Sequence, residues 1–177
     1  MPSPVDAIPQ TTPDFAAIKY LMYQLVLDGK YQRVVEIGTN VGDSTRIFST
    51  ALQATNGKLW TIDLEPPTSN WPEQWPVKNI EFIKSDSLLC PWSQEIDVLF
   101  LDGNHEAPHV KAELVKYGPW VLVGGKILAH DIHHSQFGPG ITSAIHEWCH
   151  GMQLCWTDYP HQHGLAVIEV SHPLPRV

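Results

Sequence analysis

The chain has 177 residues, 43% of them apolar and 17% charged, which suits one globular domain with a sizeable core and would leave two domains cramped. Its formal net charge of −8 argues against nonspecific adhesion to DNA, RNA or anionic lipid, while leaving room for a small ligand held locally. The three cysteines, Cys90, Cys149 and Cys155, are too few and wrongly spaced for a zinc ribbon or a disulfide framework, so a reducing compartment is expected.

Residues 1–13 carry four prolines and no periodic pattern, and read as a flexible tail ahead of a single domain over 14–177. They lack the basic region and apolar core of a signal peptide, and no apolar run is long enough to span a bilayer, so a soluble, cytoplasmic protein is expected. Thr12 can cap a helix with Pro13 in its first turn; Phe15, Ile18, Met22 and Leu25 recur at helical spacing until Asp28-Gly29. RVVEIG (33–38) is strand-like, and GDSTRIFSTALQA (42–54) reads as a helix with Ile47, Phe48, Ala51 and Leu52 on one face. KLWTIDLE (58–65), IEFIKSD (80–86), IDVLFLD (96–102) and KILAHD (126–131) supply four more strands. A helix over 107–118 separates the last two of these, and another follows over 141–151. MQLCWTDY and GLAVIEV complete the chain as strands.

This alternation predicts a Rossmann-like, doubly wound α/β fold: a mostly parallel seven-stranded sheet, helices on both faces, the last strand antiparallel. Ligands of such sheets sit beyond the carboxyl ends of the strands. Here each of the first five strands ends in an acid: Glu36, Asp63, Asp86, Asp102 and, after His130, Asp131. An Asp-Gly-Asn turn alone would be ordinary loop chemistry, but five acidic strand ends point to a cleft.

Gly38-Thr39-Asn40-Val41-Gly42 lies between a strand and a helix, where glycine allows a sharp turn and a close approach. Asn40 and Asp43 stand where a dinucleotide fingerprint has glycines, and no Gly-Lys-Ser/Thr ending makes it a P-loop. Asp43 at the head of the helix would repel a pyrophosphate. A nucleoside bearing positive charge, such as S-adenosylmethionine, fits this rim better.

VVEIGTNVGDST, LWTIDLE, IKSDS, IDVLFLDGNHE and GPWVLVGGKILAHDI resemble, in order, the successive motifs of class I S-adenosylmethionine-dependent methyltransferases. They are most similar to the small O-methyltransferase-like branch that includes catechol O-methyltransferase relatives and antibiotic sugar methyltransferases. The resemblance covers residues 30–170 and implies transfer of a methyl group to a hydroxyl oxygen of a sugar or phenolic small molecule. It implies that Glu36, Gly38, Thr39, Asn40 and Gly42 embrace the methionine part of the cofactor, that Asp63 binds the ribose, and that Asp86 and Ser87 border the adenine. Asn40 replaces the commoner glycine, and Asn tolerates the left-handed backbone. The segment 65–79 replaces a regular crossover helix with a proline-rich loop whose Trp71 and Trp75 either wall the acceptor or pack the loop.

Asp102 and Asp131, at the ends of neighbouring strands, could share a cation such as Mg²⁺ or Mn²⁺, with His130 as a third ligand. Side chains alternate along a strand, so His130 and Asp131 can both serve only if the strand has ended. The plainer alternative is that His130 donates to a backbone carbonyl while Asp131 caps a turn. His105 stands three residues after Asp102, where the resembling sugar methyltransferases place a general base, and imidazole suits proton removal at neutral pH. His133, His134, His161 and His163 are further candidates that read first as solvated loop residues, and the histidine-rich segment 130–136 with Pro139-Gly140 is expected to form part of the substrate mouth. Two other readings stay open. One is a metallophosphoesterase, suggested by GNHE and HDIHH but lacking an Asp-x-His on the first strand. The other is a catalytically silent module that only binds the cofactor. No nucleic acid or membrane partner is expected; a homo-oligomer is open, because the first helix could pack on its own domain or on a second copy.

Overall fold

In the computed structural model, which describes residues 4–8, 12–67, 77–161 and 163–176, the β-branched and aromatic runs become seven strands. They are β1 (Arg33–Ile37), β2 (Lys58–Asp63), β3 (Ile80–Lys84), β4 (Ile96–Leu101), β5 (Val121–His130), β6 (Trp156–Tyr159) and β7 (Leu165–Glu169). They hydrogen-bond into one sheet in the order β3-β2-β1-β4-β5-β7-β6. The β1–β2, β2–β3, β1–β4 and β4–β5 pairs are parallel, and β7 runs antiparallel to both β5 and β6, as the sequence leads one to expect. The chain builds outward from β1 first one way, through β2 and β3, and then the other, through β4 and β5. The strand order therefore reverses between β1 and β4, where a crevice opens beyond the strand tips.

Alternation along the strands sends side chains to two cores. Val34, Leu59, Val98 and Phe100 pack under helices α1 (Pro13–Asp28) and α2 (Asp43–Thr55). Val35, Ile62, Leu99 and Ile127 pack under α3 (Ala107–Tyr117) and α4 (Gly138–Met152). Every residue of β4 is buried, and each of its apolar side chains contributes on the order of 1.5–3 kcal/mol. The exception to its apolar run, Asp97, accepts hydrogen bonds from the backbone amides of Gln32 and Arg33 at 2.9 and 2.8 Å, and from Arg33 Nη2 at 2.8 Å. That pin fixes how β1 and β4 start relative to each other, and so where their far ends meet.

Three local differences from the sequence reading stand out. Within the expected tail, Pro4–Ala7 forms a 3₁₀ turn, and Val5 and Ile8 are buried in the core beside α1. β5 begins at Val121 rather than 126: Gly124-Gly125 does not break the strand but is absorbed by a register shift against β4 between Ile96 and Val98. α4 begins at Gly138, with Pro139 in the first turn where its missing N–H costs nothing. Trp71 and Trp75 lie outside the described residues. Among the described residues no helix is long and apolar enough to cross a membrane.

Candidate functional site

A cleft of about 770 Å³ opens over the tips of β1 to β5. Its floor is the turn after β1. Gly38, Asn40 and Gly42 adopt φ of +92°, +47° and +80°, a left-handed path that suits glycine and asparagine. Ile37 carbonyl accepts from the Asp102 amide at 2.9 Å, and the Gly38 amide donates to the Ile62 carbonyl at 2.9 Å, so the turn is clamped between β2 and β4. A Cβ on Gly38 would lie 2.2 Å from the Asp102 carbonyl oxygen. Close approach is indeed what this glycine permits, and the group that approaches is the neighbouring strand's backbone.

Asp63 continues the clamp. Its Oδ2 accepts from the Thr39 and Asn40 amides at 2.7 and 3.1 Å, while Oδ1 receives only a long bond, 3.4 Å, from the Glu65 amide. Asp43 is also engaged, accepting from the Thr12 amide and hydroxyl at 3.0 and 2.9 Å; this ties the start of α1 to the cleft.

Glu36 departs from expectation. It does not line the cleft. It shares a face of β1 with Val34, beneath α2, and its Oε2 accepts from the hydroxyls of Thr45 and Thr61, both at 2.6 Å. Thr61 Oγ1 lies 2.6 Å from Thr39 Oγ1, so the carboxyl supports the loop from below. Burial pushes this carboxyl up to about 7, against the pull of the hydroxyls of Ser44, Thr45 and Thr61.

Beyond β4 and β5 the expected carboxylates and imidazoles do converge. Asp131 takes φ of +62° just after the strand ends, so that it and His130 both face Asp102. His130 Nδ1 lies 3.2 Å from Asp102 Oδ1 and 3.3 Å from Asp131 Oδ1, and its ring stacks on Phe15 at 5.0 Å. His105 Nε2 lies 3.2 Å from Asp131 Oδ2 and 3.6 Å from Asp102 Oδ1. Burial drives Asp102 upward, but the neighbouring imidazoles of His105 and His130, the latter within hydrogen-bond distance, outweigh it and hold the carboxyl below its ordinary value. The Asp102 carboxylate 3.6 Å away raises His105, helped by the charge of Asp131 and opposed by burial.

The donor set fits a divalent cation. Among the described residues Asp102, His105 and Asp131 place one ligand atom each within 4.8 Å of the others. Asp131 Oδ1 is buried with imidazole nitrogens of His130 and His163 at 3.3 Å, yet none makes a well-aligned hydrogen bond to it. His105 thus takes the place in this triple that sequence reasoning gave to His130.

Asp86 and Ser87, after β3, line the same cleft, as do Gly38, Thr39, Asn40, Gly42, Asp63, Asp102, His105, His130 and Asp131. Residues that sequence reasoning missed join them. They are Thr12, just before α1, Phe15 within it, and His109 and Glu113 of α3; His134 and His163, named from the sequence as lesser base candidates in loops, line the cleft too. His109 and Glu113 had a weak signal, since an i,i+4 pair opening the helix after Asp102 faces one side of it. His133 instead pairs with Asp158 at 2.8 Å, outside the cleft lining.

Solved structures share this architecture. The SAH-bound Podospora anserina methyltransferase PaMTH1 superposes with a TM-score of 0.70 at 16% identity, covering 97% of this chain and 89% of that one. The N-methyltransferase NodS from Bradyrhizobium japonicum WM9, in complex with S-adenosyl-L-homocysteine (SAH), gives 0.68 at 12% identity, with 90% and 87% covered. The O-methyltransferase NovP gives 0.65 at 14% identity, with 89% and 79% covered. At such identities the likeness concerns the fold. Residues 35–132, more than half of the chain and spanning every strand from β1 to β5, match the model of the methyltransferase domain family, and the chain belongs to that family.

Proposed function

We propose that the protein transfers a methyl group from S-adenosylmethionine to a hydroxyl oxygen of a small sugar-like or phenolic molecule. The observation that carries this reading is the gathering of five strand tips, far apart in sequence, around one cleft of about 770 Å³, a size that accommodates a nucleoside cofactor together with a small acceptor. Structural neighbours such as the O-methyltransferase NovP point the same way.

Bound S-adenosylmethionine supplies an electrophilic methyl group on a sulfonium. The chain's residues bind and orient it. The Gly38–Gly42 turn receives the methionine part, braced from below by Glu36 through Thr61 and Thr39. Asp63 holds the turn with Oδ2 and keeps Oδ1 for ribose hydroxyls. Asp86 and Ser87 border the adenine. The acid-lined rim favours a cationic ligand over an anionic one.

His105 takes the proton of the acceptor hydroxyl on Nδ1, while Asp131 and Asp102, 3.2 and 3.6 Å from its Nε2, orient the ring and stabilise the imidazolium. Asp102 and Asp131 would also hold a divalent cation, Mg²⁺ or Mn²⁺, which when bound would acidify the hydroxyl and position its oxygen. In that role His105 Nε2 keeps its hydrogen toward the carboxylates and does not also bind the cation. With His105 as base, the third donor is His130.

Incubating the protein with methyl-labelled S-adenosylmethionine and a panel of phenols and sugars, with Mg²⁺ and with chelator, tests this. Label should pass to an acceptor oxygen, and His105→Ala should lower the rate by about 10²–10⁴-fold while leaving SAH affinity within a few-fold. A wild-type protein that binds SAH yet methylates nothing in the panel would favour the silent binding module instead.

A further inference from the structure

Glu36 is wholly buried beneath the Gly38–Gly42 turn, and the transfer described above gives it only a bracing part. Its Oε2 accepts from the hydroxyls of Thr45 and Thr61, while Oε1, equally buried, has no hydrogen-bond partner. Thr61 Oγ1 in turn lies 2.6 Å from Thr39 Oγ1, and Thr39 lines the cleft. Two short hydrogen bonds thus run from a buried carboxyl to the floor of the cleft.

The direction of this ladder depends on one proton. With Glu36 ionised, Thr61 donates to Oε2 and Thr39 donates to Thr61, which leaves Thr39 Oγ1 only lone pairs to offer the cleft. A proton on the carboxyl belongs on Oε2, since Oε1 has no acceptor beside it. From there it donates to Thr61, Thr61 donates to Thr39, and the Thr39 O–H turns toward the cleft. The surroundings hold the two forms close to balance. Burial opposes the charge, Ser44 and Thr45 of α2 and Thr61 of β2 favour it, and the carboxylate of Asp102 beyond β4 opposes it, so that Glu36 titrates at about 7. Asp43 and Arg46 of α2 pair with each other, and His130 of β5 stacks on Phe15. α1 adds Tyr23 and otherwise apolar side chains to this core.

Resting on the reading that the turn receives the sulfonium cofactor, we propose that this ladder senses the cofactor's charge, releasing the Glu36 proton when S-adenosylmethionine binds and recovering it when S-adenosylhomocysteine is left. A cation in the cleft favours lone pairs at Thr39 and a negative carboxyl beneath them. The proton leaves along the ladder itself. Glu36 passes its hydrogen to Thr61, Thr61 passes its own to Thr39, and Thr39 gives its own to water in the cleft. Each hydroxyl gains one O–H bond as it breaks another, and Glu36 ends as the carboxylate. Methyl transfer removes one positive charge from the ligand, so the carboxyl then takes a proton back from water. Glu36 is a positioning residue here, acting through Thr61 and Thr39.

The test is calorimetric titration of each ligand at about pH 7, with chelator, in phosphate and in imidazole buffer, whose different heats of ionisation count the protons released. With S-adenosylmethionine, wild type should release about half a proton more than Glu36→Gln, because about half of the Glu36 carboxyls carry one at that pH. With S-adenosylhomocysteine the two proteins should match. The ligand's own amine titrates alike in both, so the comparison isolates Glu36. Thr61→Val, which cuts the ladder and keeps the carboxyl, should lose the excess, and Thr61→Ser should restore it. A merely structural loosening would weaken binding without making the heat depend on the buffer. A wild-type release equal to that of Glu36→Gln, or an excess that survives Thr61→Val, overturns this inference and leaves the cofactor reading standing. Failure of wild type to bind either ligand overturns both.

Discussion

Replacing Gly38 by Ala probes the junction on which the cleft depends. Two costs add. At φ of +92° an L-residue is strained by about 1–2 kcal/mol. The new Cβ would also lie 2.2 Å from the Asp102 carbonyl oxygen, 2.6 Å from its carbon and 2.9 Å from Gly103 Cα, all backbone atoms of the adjacent strand exit. They must retreat by about 1 Å, an overpacking cost of roughly 1–3 kcal/mol, for a total near 2–5 kcal/mol. Gly124→Ala supplies the control: φ is +86° there, but nothing lies within 4 Å of where its Cβ would sit, so only the first cost applies. Urea unfolding of both variants should show Gly38→Ala losing more stability than Gly124→Ala by about 1–3 kcal/mol. Calorimetry should show SAH affinity falling at least tenfold in Gly38→Ala alone, because the retreat displaces Asp102 and the floor of the cleft. Equal stability losses, with SAH binding intact in both, would refute the claim that β1 and β4 are locked together here.

Asp97→Ala should destabilise the protein by about 2–4 kcal/mol in urea unfolding, since it leaves the Gln32 and Arg33 amides unpaired at the base of the sheet, while the half-exposed Arg33 guanidinium keeps its pair with Glu95. Glu36 titrates at about 7 in the folded chain against 4.5 ordinarily. The native state therefore binds more protons than the unfolded one over that window, and stability should fall as pH rises through it, by about 3 kcal/mol in all. Glu36→Gln should flatten that dependence when unfolding is followed from about pH 4.5 to about pH 7.5, the span set by those two values; an identical slope in both proteins would remove the assignment. Mn²⁺ titrated under electron paramagnetic resonance should bind wild type and be lost in Asp131→Ala, and retention of binding in that variant would place the cation elsewhere.

Much of the fold was legible because parallel strands buried on both faces leave continuous apolar runs, and five of those runs end in acids. Alternation gave a mostly parallel sheet with β4 beside β5, whereas the full order β3-β2-β1-β4-β5-β7-β6 comes from the structure. Other features arise from contacts that sequence spacing does not encode. Phe15 looks like one more apolar position of an amphipathic helix, and only the packing of α1 brings it onto His130. Glu36 carries a motif position, yet the alternation of β1 puts it on the face of Val34 and turns it from the rim toward Thr45 of α2. His105 and His130 both come within reach of Asp131 because the backbone turn of +62° there follows the end of β5, a turn that strand alternation does not announce. Gly124-Gly125 looks like a break and is instead a bulge, because β4 offers a partner on the other side of the irregularity.

The most direct test is a calorimetric titration of SAH into the wild-type protein and into Asp63→Ala. We expect saturable binding of one ligand per chain in wild type and an affinity at least tenfold weaker in the variant, since Asp63 clamps the Thr39 and Asn40 amides and, in the proposed reading, binds the ribose. No heat with wild type, or equal affinities in the two proteins, would contradict the account.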